Sequence, residues 1–222
     1  MQLQSCFPFW PTLSPAQQDM LEQAAGIRAY KKGESIHEGE ADCIGLLIVQ
    51  SGQLRVYTLS EEGKEITLYR LLERDVCLFS ASCILRGMQA ELWVEAAADT
   101  QVIHIPAGVY QKLMQESAPV ANYTNELMAD RFSNVMWLLD QVLYKRMDAR
   151  LAAFLLEEST LQDSEQIHLT HDAIARHLGT AREVVTRMLK YLQTEGAVSL
   201  SRGDVTLSDK HRLSQIAAGS IR

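Results

Sequence analysis

Two short helical patterns that meet at a glycine constrain this sequence more than any other feature. Thr170 stands where a side chain can cap the first helix, and Gly179 stands where a left-handed residue can end it. The apolar residues of the first helix share one face: Ile174, Ala175 and Leu178. In the second helix the apolar residues have the spacing i, i+3, i+4, i+7 of a buried stripe: Val185, Met188, Leu189 and Leu192. Two helices across so tight a turn predict a helix-turn-helix.

The residues around the second helix predict where it begins, where it ends and which element comes next. Thr180 and Glu183 have the spacing of a capping box, in which each side chain accepts from the other residue's backbone amide. Gly196 predicts the end of the helix. Beyond it, apolar residues alternate on both sides of Arg202-Gly203-Asp204: Val198, Leu200, Val205 and Leu207. This alternation predicts a β-hairpin, the wing of a winged helix.

The second helix turns a polar face away from its buried stripe. Five residues share that face: Arg182, Glu183, Thr186, Arg187 and Lys190. In a DNA major groove an arginine can bind O6 and N7 of guanine, and a glutamate can accept from the N4 amino group of cytosine. Glu183 and Arg187, one turn apart, can therefore read neighbouring base pairs. The alternative is an ordinary i, i+4 salt bridge between them, worth only about 0.2–0.5 kcal/mol.

The distribution of charge agrees with a nucleic-acid partner at the C-terminal end. The whole chain carries a net charge of -7. Residues 170–222 hold 8 basic and 5 acidic residues, whereas residues 1–169 hold 13 basic and 23 acidic ones. Only the C-terminal part is suited to meet phosphate, so we expect double-stranded DNA as the partner. The predicted DNA-binding residues are Thr170, Thr180, Arg182, Glu183, Thr186, Arg187, Lys190 and Arg202.

Composition predicts a soluble, cytoplasmic protein of two domains. A chain of 222 residues that is 47% hydrophobic and 22% charged can bury a substantial core, which excludes disorder and fibrous folds. No apolar run approaches the roughly 20 residues needed to cross a bilayer, and the first ten residues lack a basic leader, so no membrane partner is expected. The 4 cysteines are irregularly spaced, as is typical of reduced thiols.

Residues 27–105 predict a β domain of short strands. Five alternating or apolar runs, at 45–49, 53–58, 65–71, 92–96 and 101–105, are separated by turn signals that mostly contain glycine. Evenly spaced strands of this kind are typical of a barrel or jelly roll. A short helix over 14–25 precedes them, with Ser14 as its N-cap and Pro15 at its first helical position.

A long helix is predicted from Pro119 to about Lys145, between short helices over 109–114 and 147–158. It carries an unbroken a/d heptad seam: Ala121, Asn125, Met128, Phe132, Val135, Leu139 and Val142. Such a seam favours a parallel contact between two copies of the helix, with Asn125 fixing the register. A second set would pack on the helix's own β domain: Val120, Tyr123, Leu127 and Leu138. The alternative is a core helix with no partner.

Over nearly its whole length the sequence resembles the bacterial regulators grouped around the cyclic-AMP receptor protein and the fumarate and nitrate reduction regulator. The resemblance is carried by Lys-Lys-Gly-Glu at 31–34, Ser-Gly-Gln-Leu-Arg-Val at 51–56, the long helix, and Leu-Gly-Thr-Ala-Arg-Glu-Val-Val-Thr-Arg at 178–187. It implies an α+β fold in three parts. These are a double-stranded β-helix (jelly-roll) sensor domain of the cyclic-nucleotide-binding type over 1–118, a dimerisation helix over 119–146, and a winged helix-turn-helix DNA-binding domain over 147–222.

The resemblance also implies a transcriptional regulator that binds palindromic DNA as a homodimer, and that contacts RNA polymerase if it is an activator. The family's base-reading Glu-x-x-x-Arg pair falls on Glu183 and Arg187, which implies half-sites with a TGA-like core. Arg182 matches the cyclic-AMP branch, whereas Thr186 replaces the serine of the oxygen-responsive branch. Because the second helix combines residues typical of two branches of the family, the outer bases of each half-site stay open.

The sensor domain departs from both named members where they bind their effectors. Ala90 and Glu91 stand where the cyclic-AMP branch has an Arg-Ser or Arg-Thr pair, and a carboxylate would repel the cyclic phosphate. Cyclic AMP is therefore not expected. An iron–sulfur sensor needs three cysteines near the N-terminus, and only Cys6 lies there. Cys77 and Cys83 are the effector candidates, either as a redox thiol switch or as small buried residues.

Haem is a further candidate cofactor, but no spacing singles out one ligand among His37, His104, Met88 and Met114. A different class of function is a metal-dependent enzyme of the cupin type, whose β-barrel binds metal through several histidines and a carboxylate. The β region has only His37 and His104 and no His-x-His pattern. We therefore expect a regulator without catalytic residues or a metal site, and the sequence leaves its effector open.

Overall fold

The computed structural model describes residues 3–39, 44–78, 80, 91–218 and 220. Its α-helices are α1 (Pro15–Ala24), α2 (Ala107–Glu116), α3 (Ala118–Tyr144), α4 (Met147–Leu161), α5 (His171–Leu178), α6 (Arg182–Thr194) and α7 (Lys210–Ile216). Its strands are β1 (Gly26–Tyr30), β2 (Ser35–Gly39), β3 (Leu46–Ser51), β4 (Leu54–Leu59), β5 (Glu65–Leu71), β6 (Val76–Cys77), β7 (Leu92–Ala96), β8 (Thr100–Ile105), β9 (Gln166–Ile167), β10 (Val198–Ser201) and β11 (Asp204–Leu207). No helix of the described residues combines the length and apolar character that crossing a membrane requires.

Two antiparallel sheets form the N-terminal β-roll. One has the strand order β1-β8-β3-β6 and the other β2-β7-β4-β5. Apolar side chains of both sheets meet in one cluster, which includes Val49 of β3, Val56 of β4 and Val94 of β7. The sheets therefore enclose a common core, which confirms the predicted jelly roll. The five predicted runs correspond to β3, β4, β5, β7 and β8, and the structure adds β1, β2 and β6.

Strand β3 shows why one predicted strand was a continuous apolar run. Leu47 and Val49 face the core between the two sheets. Leu46 and Ile48 face a second core, which α1, α2 and α3 share with the N-terminal segment. A strand covered on both faces has no polar alternation, whereas β7 is covered on one face and alternates.

The short N-terminal helix begins as the sequence predicts. The Ser14 side chain accepts from the amide of Gln17, and the Gln17 side chain accepts from the amide of Ser14, which together make a capping box. Ahead of this helix, Phe7 and Phe9 stack on each other and meet the ring of Tyr123 on α3 edge-on. The N-terminal segment therefore covers one face of the first half of α3.

Helix α3 has two faces with different surroundings. Val120 is buried, and Tyr123 and Leu127 pack on the β domain as predicted. Along the seam, Met128 is partly buried, but Phe132 is 67% exposed. The exposed apolar residues of the second half of α3 form one stripe: Phe132, Val135, Met136, Leu139, Val142 and Leu143. This stripe is open to solvent in a single chain, and the contact with a second copy of the helix stays a prediction.

The C-terminal residues have a core of their own. Apolar side chains of α4, α5, α6 and α7 pack there against the three-stranded sheet β10-β11-β9. The predicted wing is confirmed as β10 and β11. The sequence did not predict β9, whose Ile167 pairs with Val205, or α7, which Asp209 caps by accepting from the amide of Arg212.

Two compact units make up the chain. One comprises Met1–Leu59 and Leu68–Val135, and the other comprises Ser60–Thr67 and Met136–Arg222. Helix α3 contributes residues to both. The three-part division into 1–118, 119–146 and 147–222 stays a prediction.

Candidate nucleic-acid interface

The turn between α5 and α6 is built from local hydrogen bonds. Oγ1 of Thr170 accepts from the amide of Ala173 at 3.1 Å, which caps the start of α5. Gly179 ends the helix with a φ of 65°, a left-handed conformation that glycine adopts without a side-chain clash. The structural roles predicted for Thr170 and Gly179 are therefore confirmed.

The predicted capping box at the start of α6 is wrong. The helix begins at Arg182 with Ala181 as its N-cap, and no side chain caps it. The amide of Thr180 donates to the carbonyl oxygen of Ala175 at 3.1 Å and so belongs to the end of α5. Because that amide already has an acceptor, Glu183 is not drawn back towards it and stays exposed.

Burial of one face of α6 fixes which face points outward. Val185, Leu189 and Leu192 are fully buried, and Met188 packs partly buried against the same core. At about 25 cal/mol per Å² of apolar surface, each buried side chain of this size contributes roughly 1.5–3 kcal/mol, so rotation of the helix about its axis is strongly disfavoured.

The opposite face of α6 is a shallow concave surface lined by all five predicted residues, which we call the α6 surface: Arg182, Glu183, Thr186, Arg187 and Lys190. It carries three cations and one carboxylate. Within the described part of the chain no ion pair joins Glu183 to Arg187, so the salt-bridge alternative does not describe them. Their charged groups therefore remain available to a ligand.

Thr186 differs from its neighbours on the α6 surface because its hydroxyl is bonded within the protein. Oγ1 donates to the carbonyl oxygen of Arg182 at 2.9 Å. The same oxygen lies 2.9 Å from Nδ1 of His171, the first residue of α5. Sequence reasoning missed His171, because a contact across 15 residues between two helices leaves no periodic signal.

The remaining predicted DNA-binding residues lie at the ends of their elements. Thr170 is exposed at the N-terminus of α5, and Thr180 is half-buried in the turn. Arg202 is exposed in the turn between β10 and β11, at the tip of the wing. Their role in DNA binding stays a prediction.

A buried arginine supports the turn and was not predicted. Arg150 on α4 donates from Nη2 to the carbonyl oxygen of Leu178 at 2.7 Å, at the last residue of α5. Burial lowers the pKa of its guanidinium. The signal in the sequence was the one basic residue of α4, and helix C-terminal carbonyls are favourable partners for such a cation.

A second polar cluster ties the wing to β9. Asp204 accepts from Nδ1 of His168 at 2.6 Å and from Nε2 of Gln166 at 3.0 Å. The bond from His168 is the main cause that lowers the pKa of Asp204. These bonds hold the first residue of β11, and sequence reasoning did not connect them because the partners lie far apart along the chain.

Of the two cysteines predicted as effector candidates, the structure describes one. Cys77 is fully buried in the apolar core between the two sheets, and Cys83 lies outside the described residues. A thiol in apolar surroundings is poorly reactive, so the burial of Cys77 favours a packing role. Glu91 is exposed, and Ala90 lies outside the described residues.

The haem candidates that lie among the described residues belong to different elements. His37 is buried in β2 of one sheet, whereas His104 lies in β8 of the other and bonds through Nε2 to the carbonyl oxygen of Ile44. Burial lowers the pKa of His104. Met114 packs against the core that α1, α2 and α3 share, and Met88 lies outside the described residues. In the described part of the chain no three His, Cys, Asp or Glu residues form a group that could hold a metal ion.

Two family models match the chain. The model of the Crp-like helix-turn-helix domain matches residues 149–216, and the model of the cyclic nucleotide-binding domain matches residues 27–117. A crystal structure described as a transcriptional regulator of the CRP/FNR family from Eubacterium rectale shares 52% sequence identity. It superposes with a TM-score of 0.94 and covers 96% of this chain and 99% of that one.

Curated relatives are more distant. The cyclic AMP receptor protein of Thermus thermophilus is 27% identical over 213 residues, which is 96% of this chain and 97% of the relative. The fumarate and nitrate reduction regulatory protein of Vibrio cholerae is 25% identical over 226 residues, 98% of this chain and 88% of the relative.

The chain belongs to the CRP/FNR family of bacterial transcriptional regulators. It is a DNA-binding regulator of transcription that combines a cyclic-nucleotide-binding-like domain with a helix-turn-helix. The family assignment also makes it a regulator rather than an enzyme, so the cupin alternative is wrong.

Proposed function

We propose that the protein acts as a homodimer that places α6 of each chain in the major groove of a palindrome with two TGA-like half-sites. The half-site centres lie about 10–11 base pairs apart, one turn of DNA, because the dimer axis fixes that spacing. The observation that carries this proposal is the α6 surface, where five polar side chains lie together opposite a buried apolar face.

Two residues of the α6 surface supply the base recognition. Arg187 binds O6 and N7 of a guanine, and Glu183 accepts from a cytosine N4 amino group. Both side chains are exposed, and neither is held by an ion pair to the other within the described residues. Each such contact discriminates against a wrong base by about 1–3 kcal/mol.

Other residues supply affinity without base selectivity. Lys190 on α6 and Arg202 at the wing tip are exposed cations suited to phosphate oxygens, and Thr170 and Thr180 can donate their hydroxyl hydrogens to the same groups. Arg182 adds a third cation to the α6 surface. If the protein activates transcription, its further partner is RNA polymerase.

The exposed stripe on α3 supports the homodimer. Four seam residues in its second half are exposed in a single chain: Phe132, Val135, Leu139 and Val142. Met136 and Leu143 lie beside them and widen the stripe into a face that a second copy can cover. The first half of the seam comprises Ala121, Asn125 and Met128, of which Asn125 is exposed and fixes the register.

The β-roll responds to a signal other than cyclic AMP. Glu91 brings a carboxylate to the strand where the family's cyclic-AMP branch has a phosphate-binding pair, and an anion without a guanidinium partner binds weakly. Haem binding and a thiol redox change are the remaining candidate signals, and the burial of Cys77 counts against a reactive thiol at that position.

Selection from random double-stranded DNA tests the proposal. The native chain should enrich a palindrome with TGA-like half-sites. Arg187→Ala should enrich the same palindrome with relaxed preference at one guanine and its symmetry mate, because only that side chain reads the base. If both proteins returned an identical motif, Arg187 would not be a base-reading residue. If the native chain enriched no motif, sequence-specific binding by α6 would be wrong.

A further inference from the structure

His171 connects the first helix of the helix-turn-helix to the α6 surface. It is the first residue of α5, and its ring is half-buried. Nδ1 lies 2.9 Å from Oγ1 of Thr186, in the middle of the α6 surface. The ring is therefore held in place by the helix that carries the predicted base contacts.

The hydroxyl hydrogen of Thr186 determines which ring nitrogen of His171 carries a proton. Oγ1 of Thr186 donates its only hydrogen to the carbonyl oxygen of Arg182. The same oxygen must then accept from His171, so Nδ1 carries the ring hydrogen. In neutral His171 the other nitrogen, Nε2, therefore has a lone pair and no hydrogen. Among the described residues Nε2 has no hydrogen-bond partner.

The charges around the ring favour its neutral form in the free protein. Burial first, and then the positive charge of Arg182, lower the pKa of His171. On α5 the other titratable residues are Asp172, Arg176 and His177, of which Asp172 and Arg176 lie 3.9 Å apart. The elements beside α5 contribute further charged groups. Helix α6 carries Glu183, Arg187 and Lys190. Arg150 of α4 contacts the C-terminal end of α5, and Glu65 of β5 pairs with Arg176.

A DNA phosphate would reverse that preference. When the second helix of a helix-turn-helix enters the major groove, the first helix crosses the phosphate backbone. Phosphate oxygens only accept hydrogen bonds. Neutral His171 would present them with the lone pair of Nε2, whereas the imidazolium presents an N–H and a positive charge.

We propose that His171 is a DNA-backbone contact that requires protonation. On binding, the ring takes up one proton from solvent at Nε2, donates Nε2–H to a phosphate oxygen, and keeps Nδ1–H on Thr186. The inference rests on the proposed function, because it needs α6 in the major groove.

Proton uptake makes DNA affinity depend on pH with a defined sign. The phosphate raises the pKa of His171 above its value in the free protein, so the contact is complete at low pH and is lost as the pH rises through the higher value. Between the two pKa values the affinity falls by up to about tenfold per pH unit for each half-site.

Binding of the selected palindrome by the full chain tests this. We would measure the dissociation constant by fluorescence anisotropy from about pH 6 to about pH 8.5 at constant salt, across the range where histidine titrates. Calorimetry in two buffers of different ionisation enthalpy gives the number of protons taken up. Native protein should show uptake approaching one proton per half-site. His171→Gln should lose that uptake, whereas His171→Arg, permanently charged, should bind with a flat pH profile and exceed the native affinity at high pH.

A control and a direct measurement complete the test. His211→Gln, an exposed histidine on α7, should retain the native proton uptake. NMR titration of the native protein should show that DNA raises the pKa of His171. Equal uptake by native and His171→Gln proteins, or an unchanged pKa in the complex, would overturn the inference while sequence-specific binding stands. A native protein that fails to bind the palindrome even near pH 6, at the end of the range that most favours protonation, would overturn the proposed function instead.

Discussion

Replacing Phe132 with alanine should weaken the dimer far more than it affects the fold of one chain. Phe132 lies on the seam of α3, and 67% of its surface is exposed in a single chain. A phenylalanine side chain has roughly 200 Å² of surface, so about 130 Å² remains for a partner to bury. At about 25 cal/mol per Å², that burial contributes about 3 kcal/mol per chain.

The substitution acts twice in a symmetric dimer. Alanine keeps part of the apolar surface, so the loss is roughly 2 kcal/mol per chain and about 4 kcal/mol per dimer. That corresponds to a dimer dissociation constant raised about 1,000-fold. Phe132→Glu should be more disruptive still, because it would bring two carboxylates face to face at the dimer axis.

Sedimentation velocity over a range of protein concentrations measures this directly. Tyr144→Ala is the matched control, since Tyr144 is 75% exposed on the same helix but lies outside the seam. If exposure alone decided the effect, Tyr144→Ala would weaken the dimer more than Phe132→Ala. Because Tyr144 lies outside the heptad seam, we expect its variant to dimerise like the native protein. An unaltered monomer–dimer equilibrium for Phe132→Ala, or equal weakening by both variants, would refute the assignment of the seam.

Three further outcomes are expected. Lys190→Ala should lower affinity for all DNA sequences alike and reduce the slope of log affinity against log salt by about one, whereas Arg187→Ala should change the preferred sequence. An altered motif with an unchanged slope for Lys190→Ala would count against a phosphate contact. About 1 mM cyclic AMP should leave the Tm of the protein and its DNA affinity unchanged, and a rise in Tm on titration would show that the site binds the nucleotide. Arg150→Met should lower the free energy of unfolding by about 1–3 kcal/mol, because the Leu178 carbonyl loses its donor; an unchanged denaturation midpoint would contradict this.

The parts of the interface that could be predicted are those fixed by near neighbours in the chain. Thr170 caps α5 through a bond to Ala173, and Gly179 ends it through its own backbone conformation. The buried stripe of α6 follows from the helical period alone, and the same period places Glu183 and Arg187 on the opposite face. The heptad seam of α3 could be predicted for the same reason, because it also depends only on the helical period.

The predicted capping box does not form because the end of α5 and the start of α6 both require the same backbone amide. Thr180 and Glu183 have the right spacing, but the amide of Thr180 is also the one that the end of α5 uses, through the carbonyl of Ala175. A turn this short cannot satisfy both helices with the same group. Only the geometry of the turn, set by the packing of both helices on one core, shows which bond forms.

The sequence by itself therefore determined the jelly-roll and winged-helix architecture, the limits of most helices, and the residues that α6 turns outward, since each depends on period or on bonds a few residues long. Tertiary structure alone decided the contacts between residues distant in the chain: Arg150 with Leu178, His171 with Thr186, and His168 with Asp204. It also decided that Phe132 stays exposed while Met128, on the same seam, packs against the β domain. Such contacts are selected by which surfaces meet when the elements pack, and a one-dimensional pattern does not carry that choice.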